Sequence, residues 1–187
     1  MLTILIINLC KILAKNGDYM LIGFKFSNYK SFKDSVEFSM EPLTKNGAIS
    51  NAVETAYRKA PWVYSSSAIF GANASGKSNF IEAINYFQHL MESSYLKRLN
   101  ESMELPSYKL CDEQENSKFE CEFIKNGIAY RYFIELNDTE IAKEEAFYTE
   151  LSEDKREKCL FKRSLEDFVS PYGLDKEFAK QTLKNRL

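Results

Sequence analysis

The residues best placed to do chemistry lie in one stretch, Ala68-Ile69-Phe70-Gly71-Ala72-Asn73-Ala74-Ser75-Gly76-Lys77-Ser78. Gly71 to Ser78 fit G-x-x-x-x-G-K-[ST], the phosphate-binding loop. Such a loop must turn its successive backbone N–H groups inward around a phosphate chain, so it bends tightly. Gly71 and Gly76 supply backbone angles that a Cβ disfavours. Lys77 carries an ammonium for the β- and γ-phosphates, and Ser78 a hydroxyl for Mg²⁺. A helix opening at Gly76 or Lys77 adds unpaired N–H groups and the positive end of its dipole. The expected nucleotide-binding set is Gly71, Ala72, Asn73, Ala74, Ser75, Gly76, Lys77, Ser78 and Asn79, with ATP and Mg²⁺ as ligands. The bland alternative is a glycine-rich turn with an incidental lysine.

Such a loop must follow a buried strand and open a helix. Val63-Tyr64 and Ala68-Ile69-Phe70 supply apolar strand residues before it. After it, Phe80, Ile81, Ile84, Phe87, Leu90 and Met91 recur at helical spacing, predicting a helix from about Lys77 to Asn100. Pro106 blocks its continuation. Upstream, Met20 to Met40 reads as two strands around a turn at Asn28-Tyr29-Lys30-Ser31. Residues 43–61 are polar and read as loop. Downstream the period becomes two: Phe119, Cys121 and Phe123 alternate with charged residues, Asn126-Gly127 is a hairpin turn, and Ile128 to Leu136 is a long strand. Ile141 to Leu151 fits strand or helix equally. Ser152 to Lys158 reads as a charged loop, Lys158 to Lys162 as a short strand, and Asp175 to Leu187 as a helix.

The chain has 187 residues, 44% hydrophobic and 28% charged, which suits a globular protein with a sizeable core. Its 25 basic and 27 acidic residues leave a net charge of −2, so charge gives no support to DNA contact. Cys10, Cys111, Cys121 and Cys159 are scattered, which favours reduced thiols and a cytoplasmic setting over disulfides or zinc. The one histidine, His89, rules out a multi-histidine metal site and reads as a helix-surface residue. Residues 1–19 hold an apolar run too short for a membrane span. They lack the leader of a signal peptide. They read either as a packed segment or, preferably, as an extension ahead of a domain at 20–187, because a well-formed strand begins after Met20.

The runs from Met20 to Asp34 and from Ile69 to Ile84 resemble the start of the RecF/SMC-like ABC ATPases. More narrowly, the chain is similar to the bacterial AAA-core ATPases linked to abortive infection and anti-phage defence, relatives of the overcoming-lysogenization-defect family. The resemblance covers about Met20 to Phe161. It implies an α/β (α+β) P-loop NTPase, an ABC-type head whose first lobe sets a mostly antiparallel sheet beside the P-loop helix. It implies ATP hydrolysis in the full-length form, with heads pairing as a homodimer or hetero-complex and an effector nuclease as partner. It also brings the turn holding Tyr29, Lys30 and Phe32 near the nucleotide, making Tyr29 and Lys30 candidates for base or phosphate contact; an ordinary surface turn is the alternative.

The sequence departs from that family in one respect. The second lobe carries the signature segment and an apolar run ending in an acid pair. Asp112-Glu113 follows the polar Tyr-Lys-Leu-Cys, and Asp138 follows a run broken by Glu135. Neither fits, no Ser-Gly-Gly is present, and the second lobe is expected to be missing. No catalytic residue is visible, so binding is better supported than turnover. A lobe cut this way is expected to expose apolar sheet edge near Tyr130, Tyr132 and Phe133 and to self-associate. Adjacent Glu144-Glu145 should point to opposite faces of a strand, poorly placed for paired-carboxylate chemistry. Two readings remain beside the ABC-type head: another P-loop enzyme such as a nucleotide kinase, and a non-hydrolysing interaction module. A kinase of this length continues as strand–helix units over a parallel sheet. The Asn-Gly hairpin argues against that.

Overall fold

The computed structural model describes residues 5–7, 19–43, 51–93, 102–110, 115–151, 156–164 and 167–169. The strands are β1 (Leu5–Ile7), β2 (Tyr19–Ser27), β3 (Val36–Ser39), β4 (Ala52–Glu54), β5 (Trp62–Tyr64), β6 (Ser67–Ile69), β7 (Ser117–Lys125), β8 (Ile128–Leu136), β9 (Ile141–Glu150), β10 (Lys158–Ser164) and β11 (Phe168–Val169). One helix, α1 (Lys77–Ser93), is described. It is not long and apolar enough to cross a membrane.

Alternation builds the main sheet, broken in β2 by a register shift between Leu21 and Gly23. Phe24 and Phe26 of β2 and Phe119 and Cys121 of β7 point to one face and are buried. Lys25, Glu37 and Glu120 sit opposite one another on the other face. Seven strands pair antiparallel throughout in the order β11-β10-β9-β8-β7-β2-β3. The β7–β8 hairpin closes at Asn126 and Gly127, whose φ angles of 51° and 74° match the turn whose twist suits paired strands. The β8–β9 turn is held by the Asn137 side-chain oxygen, which accepts from the Thr139 and Glu140 N–H groups.

Helix α1 lies on the aromatic face. Phe80, Ala83, Ile84, Phe87 and Leu90 are buried, while Ile81 is half-buried and Met91 exposed. The inward stripe therefore runs through Ala83 rather than Met91. Phe24 and Phe87 meet edge-on at 5.5 Å, and Phe26 and Phe80 lie 5.8 Å apart. Residues 94–100 of the expected helix, and the helix expected at 175–187, lie outside the described residues.

Four expectations change. Residues 43–61 are not loop throughout: Ala52–Glu54 pairs with Trp62–Tyr64 as a small hairpin. Three residues are too few to show a period, so the partner strand decides. The strand before the loop is not buried: β6 is three residues long, Ala68 is exposed, and among the described residues β6 pairs only with β1. Ile141 to Leu151 resolves as strand because β8 offers it a partner along its length. Finally, Tyr130, Tyr132 and Phe133 do not form an edge, since β8 is flanked by β7 and β9. The expected self-association loses its structural basis.

The pair Glu144-Glu145 does divide between the faces. Glu145 faces Lys143 and Lys162. Glu144 is nearly buried with Arg163, 2.5 Å away, and accepts from the Tyr132 hydroxyl. Burial and that neighbouring carboxylate push the tyrosine's pKa well up.

Within residues 1–19, which the sequence sets apart from the domain, Leu5–Ile7 pairs antiparallel with β6. A chain starting at Met20 should therefore melt below the 187-residue chain, because β6 loses its ladder partner and the loop it feeds loses an anchor. Equal melting temperatures would place residues 1–19 outside the domain.

Candidate nucleotide-binding site

Strand β6 ends at Ile69, and the chain turns outward at Phe70, which is 64% exposed. Residues 71–75 are exposed, and Ser78 is exposed near the start of α1. Ala74 and Gly76 take left-handed φ angles of 62° and 92°. Gly71, unlike Gly76, does not take the left-handed backbone angle expected of it; a Cβ there would stand 2.6 Å from the Ser75 Oγ, an exposed hydroxyl that would have to rotate aside. The Ser75 N–H donates to the Ala72 carbonyl at 3.3 Å. Lys77 reaches back across the loop: its Nζ donates to the carbonyls of Gly71 at 2.8 Å and Ala72 at 2.5 Å, and lies 3.5 Å from the Ser75 Oγ.

The first helical bond runs from the Phe80 N–H to the Gly76 carbonyl, at 2.9 Å. The N–H groups of Lys77, Ser78 and Asn79 precede it and have no acceptor within the helix. An exposed loop with a left-handed glycine at its end, a folded-back ammonium and a helix N-terminus fits a phosphate chain. Ser78 would hold a Mg²⁺ ion there, and the ion would neutralise phosphate charge.

The structure brings the turn at Asn28 to Lys33 against this site. The Asn79 side-chain amide donates to the Ser31 Oγ at 2.7 Å. Lys30 pairs with the Glu82 carboxylate. The Tyr29 hydroxyl donates to the Glu82 backbone carbonyl at 3.1 Å. Tyr29 is 2% exposed, packed edge-on to Phe26 and Phe119, and burial pushes its hydroxyl up to about 12. Its ring is thus a core element and is not presented to a base. Lys30 stands at the site but is held by Glu82. Glu82, which by sequence looks like a solvated helix residue, is the hub of the turn–helix contact. No local signal marks it, because its partner lies fifty-two positions away.

Other candidates fall elsewhere. The Asp138 carboxylate accepts from the Ser102 hydroxyl at 2.7 Å and the Leu105 N–H at 3.2 Å, fastening the 102–110 segment to the β8–β9 turn. Trp62 is half-buried and His89 exposed on α1. Asp112 and Glu113 lie outside the described residues. Among the described residues no three His, Cys, Asp or Glu side chains gather as a metal cluster.

No curated protein and no solved structure matches the chain. One family model does, over residues 66–183, more than half of the chain, beginning at the residue that leads into β6 and running through the loop, α1 and the sheet hairpins. The chain therefore belongs to the family described as "AAA domain, putative AbiEii toxin, Type IV TA system", a family of AAA-core ATPases in abortive-infection and toxin–antitoxin systems.

Proposed function

We propose that the chain is the nucleotide-binding part of an ABC-type ATPase head, taking Mg·ATP or Mg·ADP on Gly71 to Asn79 with Ser78 on the metal. The observation that carries this reading is the conformation of Lys77, folded over the first two carbonyls of a loop that opens directly into α1. In that pose the ammonium lies over the loop that leads into the helix start, where charge-assisted hydrogen bonds to a phosphate would be strong. The antiparallel sheet beside α1 supports an ABC-type first lobe over a nucleotide kinase, whose strands would run parallel.

Within this reading, the defence role follows from the family. An ATPase of this kind would hydrolyse ATP in the cytoplasm, pair its heads as a homodimer or hetero-complex and act with an effector nuclease. DNA contact finds no support in the net charge. The domain proper spans 20–187, with β1 as an added strand.

The test is titration of the 187-residue chain with Mg·ATP and Mg·ADP, followed by the same titration in EDTA. Binding weakened by loss of the metal is the expected result, and no heat with either nucleotide would overturn the reading. Phosphate release by this chain should stay at background. Phosphoryl transfer needs a second metal carboxylate and a group that orients water, and no sequence run here fits either. Turnover abolished by Lys77→Ala would instead assign that role to a carboxylate in the chain, such as Glu113.

A further inference from the structure

We infer that Phe32 is a positioning residue for the phosphate site, acting through Gly76, and that Ser31 assists it through Asn79. The inference rests on the nucleotide-site reading above. A Cβ built on Gly76 would stand 2.8 Å from the Phe32 Cζ, 3.4 Å from the Ser31 Oγ and 3.5 Å from the Phe32 Cε1. The turn is thus seated directly against the residue whose left-handed φ of 92° aims the N–H groups that follow it. Among the described residues the rest of the loop lies open, with residues 71–75 exposed.

The brace is itself rigid. Phe32 meets Phe26 edge-on at 5.2 Å, and Phe26 is fully buried. Backbone bonds between Tyr29 and Phe32, at 2.8 and 2.9 Å, close the turn. Asn28 and Lys30 both take left-handed φ angles, 53° and 48°. A lysine there is strained and persists only where its surroundings over-determine it. Those surroundings are present: the Lys30 N–H donates to the Pro106 carbonyl at 2.7 Å, and the Asn28 side chain bonds the Glu115 carbonyl and the Tyr108 N–H. The Ser117 hydroxyl donates to the Asn28 carbonyl. Two separate segments, 102–110 and the start of β7 with the residues before it, therefore hold the turn, and the turn braces Gly76 and Asn79.

A brace that merely stabilised the fold would lower melting temperature without selectively changing affinity. One that positions the loop changes affinity beyond what lost stability explains. Phe38 is the control: half-buried like Phe32, it packs edge-on against Phe80 of the same helix at 5.4 Å but is not among the atoms nearest Gly76. Calorimetric Mg·ATP affinities and melting temperatures are to be measured for the wild type, Phe32→Leu, Phe32→Met, Ser31→Ala and Phe38→Leu. Phe32→Leu should weaken binding about ten-fold, because it withdraws the ring tip from Gly76 and frees the loop. Phe32→Met, which reaches as far as the ring tip, should recover part of that loss. Ser31→Ala should weaken binding a few-fold, whereas Phe38→Leu should lower the melting temperature with affinity kept within about two-fold.

Equal effects of Phe32→Leu and Phe38→Leu on affinity, or none from either, would overturn the inference while leaving the nucleotide site standing. Should Phe32→Leu fail to fold, Ser31→Ala, an exposed change, decides alone: wild-type affinity there overturns it. Absence of binding by the wild type would instead bring down the nucleotide-site reading, and this inference with it.

Discussion

Replacing Lys77 with alanine is expected to weaken Mg·ATP binding by about 1.5–3 kcal/mol, ten-fold to more than a hundred-fold, because a charge-assisted contact to phosphate is lost. The side chain has two tasks. Toward the ligand it brings a compact ammonium with three donors. Toward the protein it ties the Gly71 and Ala72 carbonyls together across the loop mouth. Removing it loosens the loop as well as subtracting charge, so Mg·ADP binding should suffer too, though less. Folding stability should barely change, because the freed carbonyls belong to exposed residues and water satisfies them. Lys77→Arg should not restore affinity, since a bulky planar guanidinium on a shorter aliphatic stem cannot reproduce the same fold-back. Calorimetry and thermal melting on the same preparations check this. Equal Mg·ATP affinity in Lys77→Ala and wild type would sink the assignment of this loop as the phosphate site.

Truncation of Phe119 to alanine should cost about 3–5 kcal/mol of folding stability, the range for removing a large buried ring and leaving a cavity. Its ring is 0% exposed and lies between 5.7 and 6.4 Å from the rings of Phe24, Phe26, Tyr29, Tyr86 and Phe87. Those five come from β2, the turn after it and α1, so Phe119 is where sheet, turn and helix meet. A domain of this size commonly has only about 5–15 kcal/mol of stability, so the variant should be close to unfolding. Nucleotide affinity should fall with it, since the same rings seat α1 and the Tyr29 turn that touch the loop. Urea unfolding with an unchanged slope is the measurement. A loss below about 1 kcal/mol would mean that the neighbouring rings close over the gap, against the rigid core described here.

What the sequence by itself determined was whatever depends on near neighbours. The loop from Gly71 to Ser78 is legible because its conformation is local: two glycines, a lysine and a serine at fixed spacing. Asn126-Gly127 specifies its own hairpin, and alternation around Phe119 and Cys121 specifies a strand whatever its partner. The helical stripe from Phe80 to Leu90 is likewise a property of one face, and only its flank, Ala83 against Met91, needed the packed structure.

The tertiary structure alone decided where partners far apart in sequence meet. Strands β1 and β4 are three residues each, too short to carry a period, and exist because β6 and β5 offer ladder bonds. Ile141 to Leu151 carries charges that satisfy either pattern; pairing with β8 makes it a strand, and Arg163, itself largely covered, gives Glu144 a partner on its face. The central place of β8 depends on strand order, which no single strand encodes. At the site the same division holds. The loop could be read directly, whereas the contacts that hold it, Phe32 on Gly76, Ser31 on Asn79 and Lys30 on Glu82, join residues more than forty positions apart. Burial of Tyr29, too, depends on Phe119 arriving from the other end of the core, because a ring stays dry only when distant segments close around it.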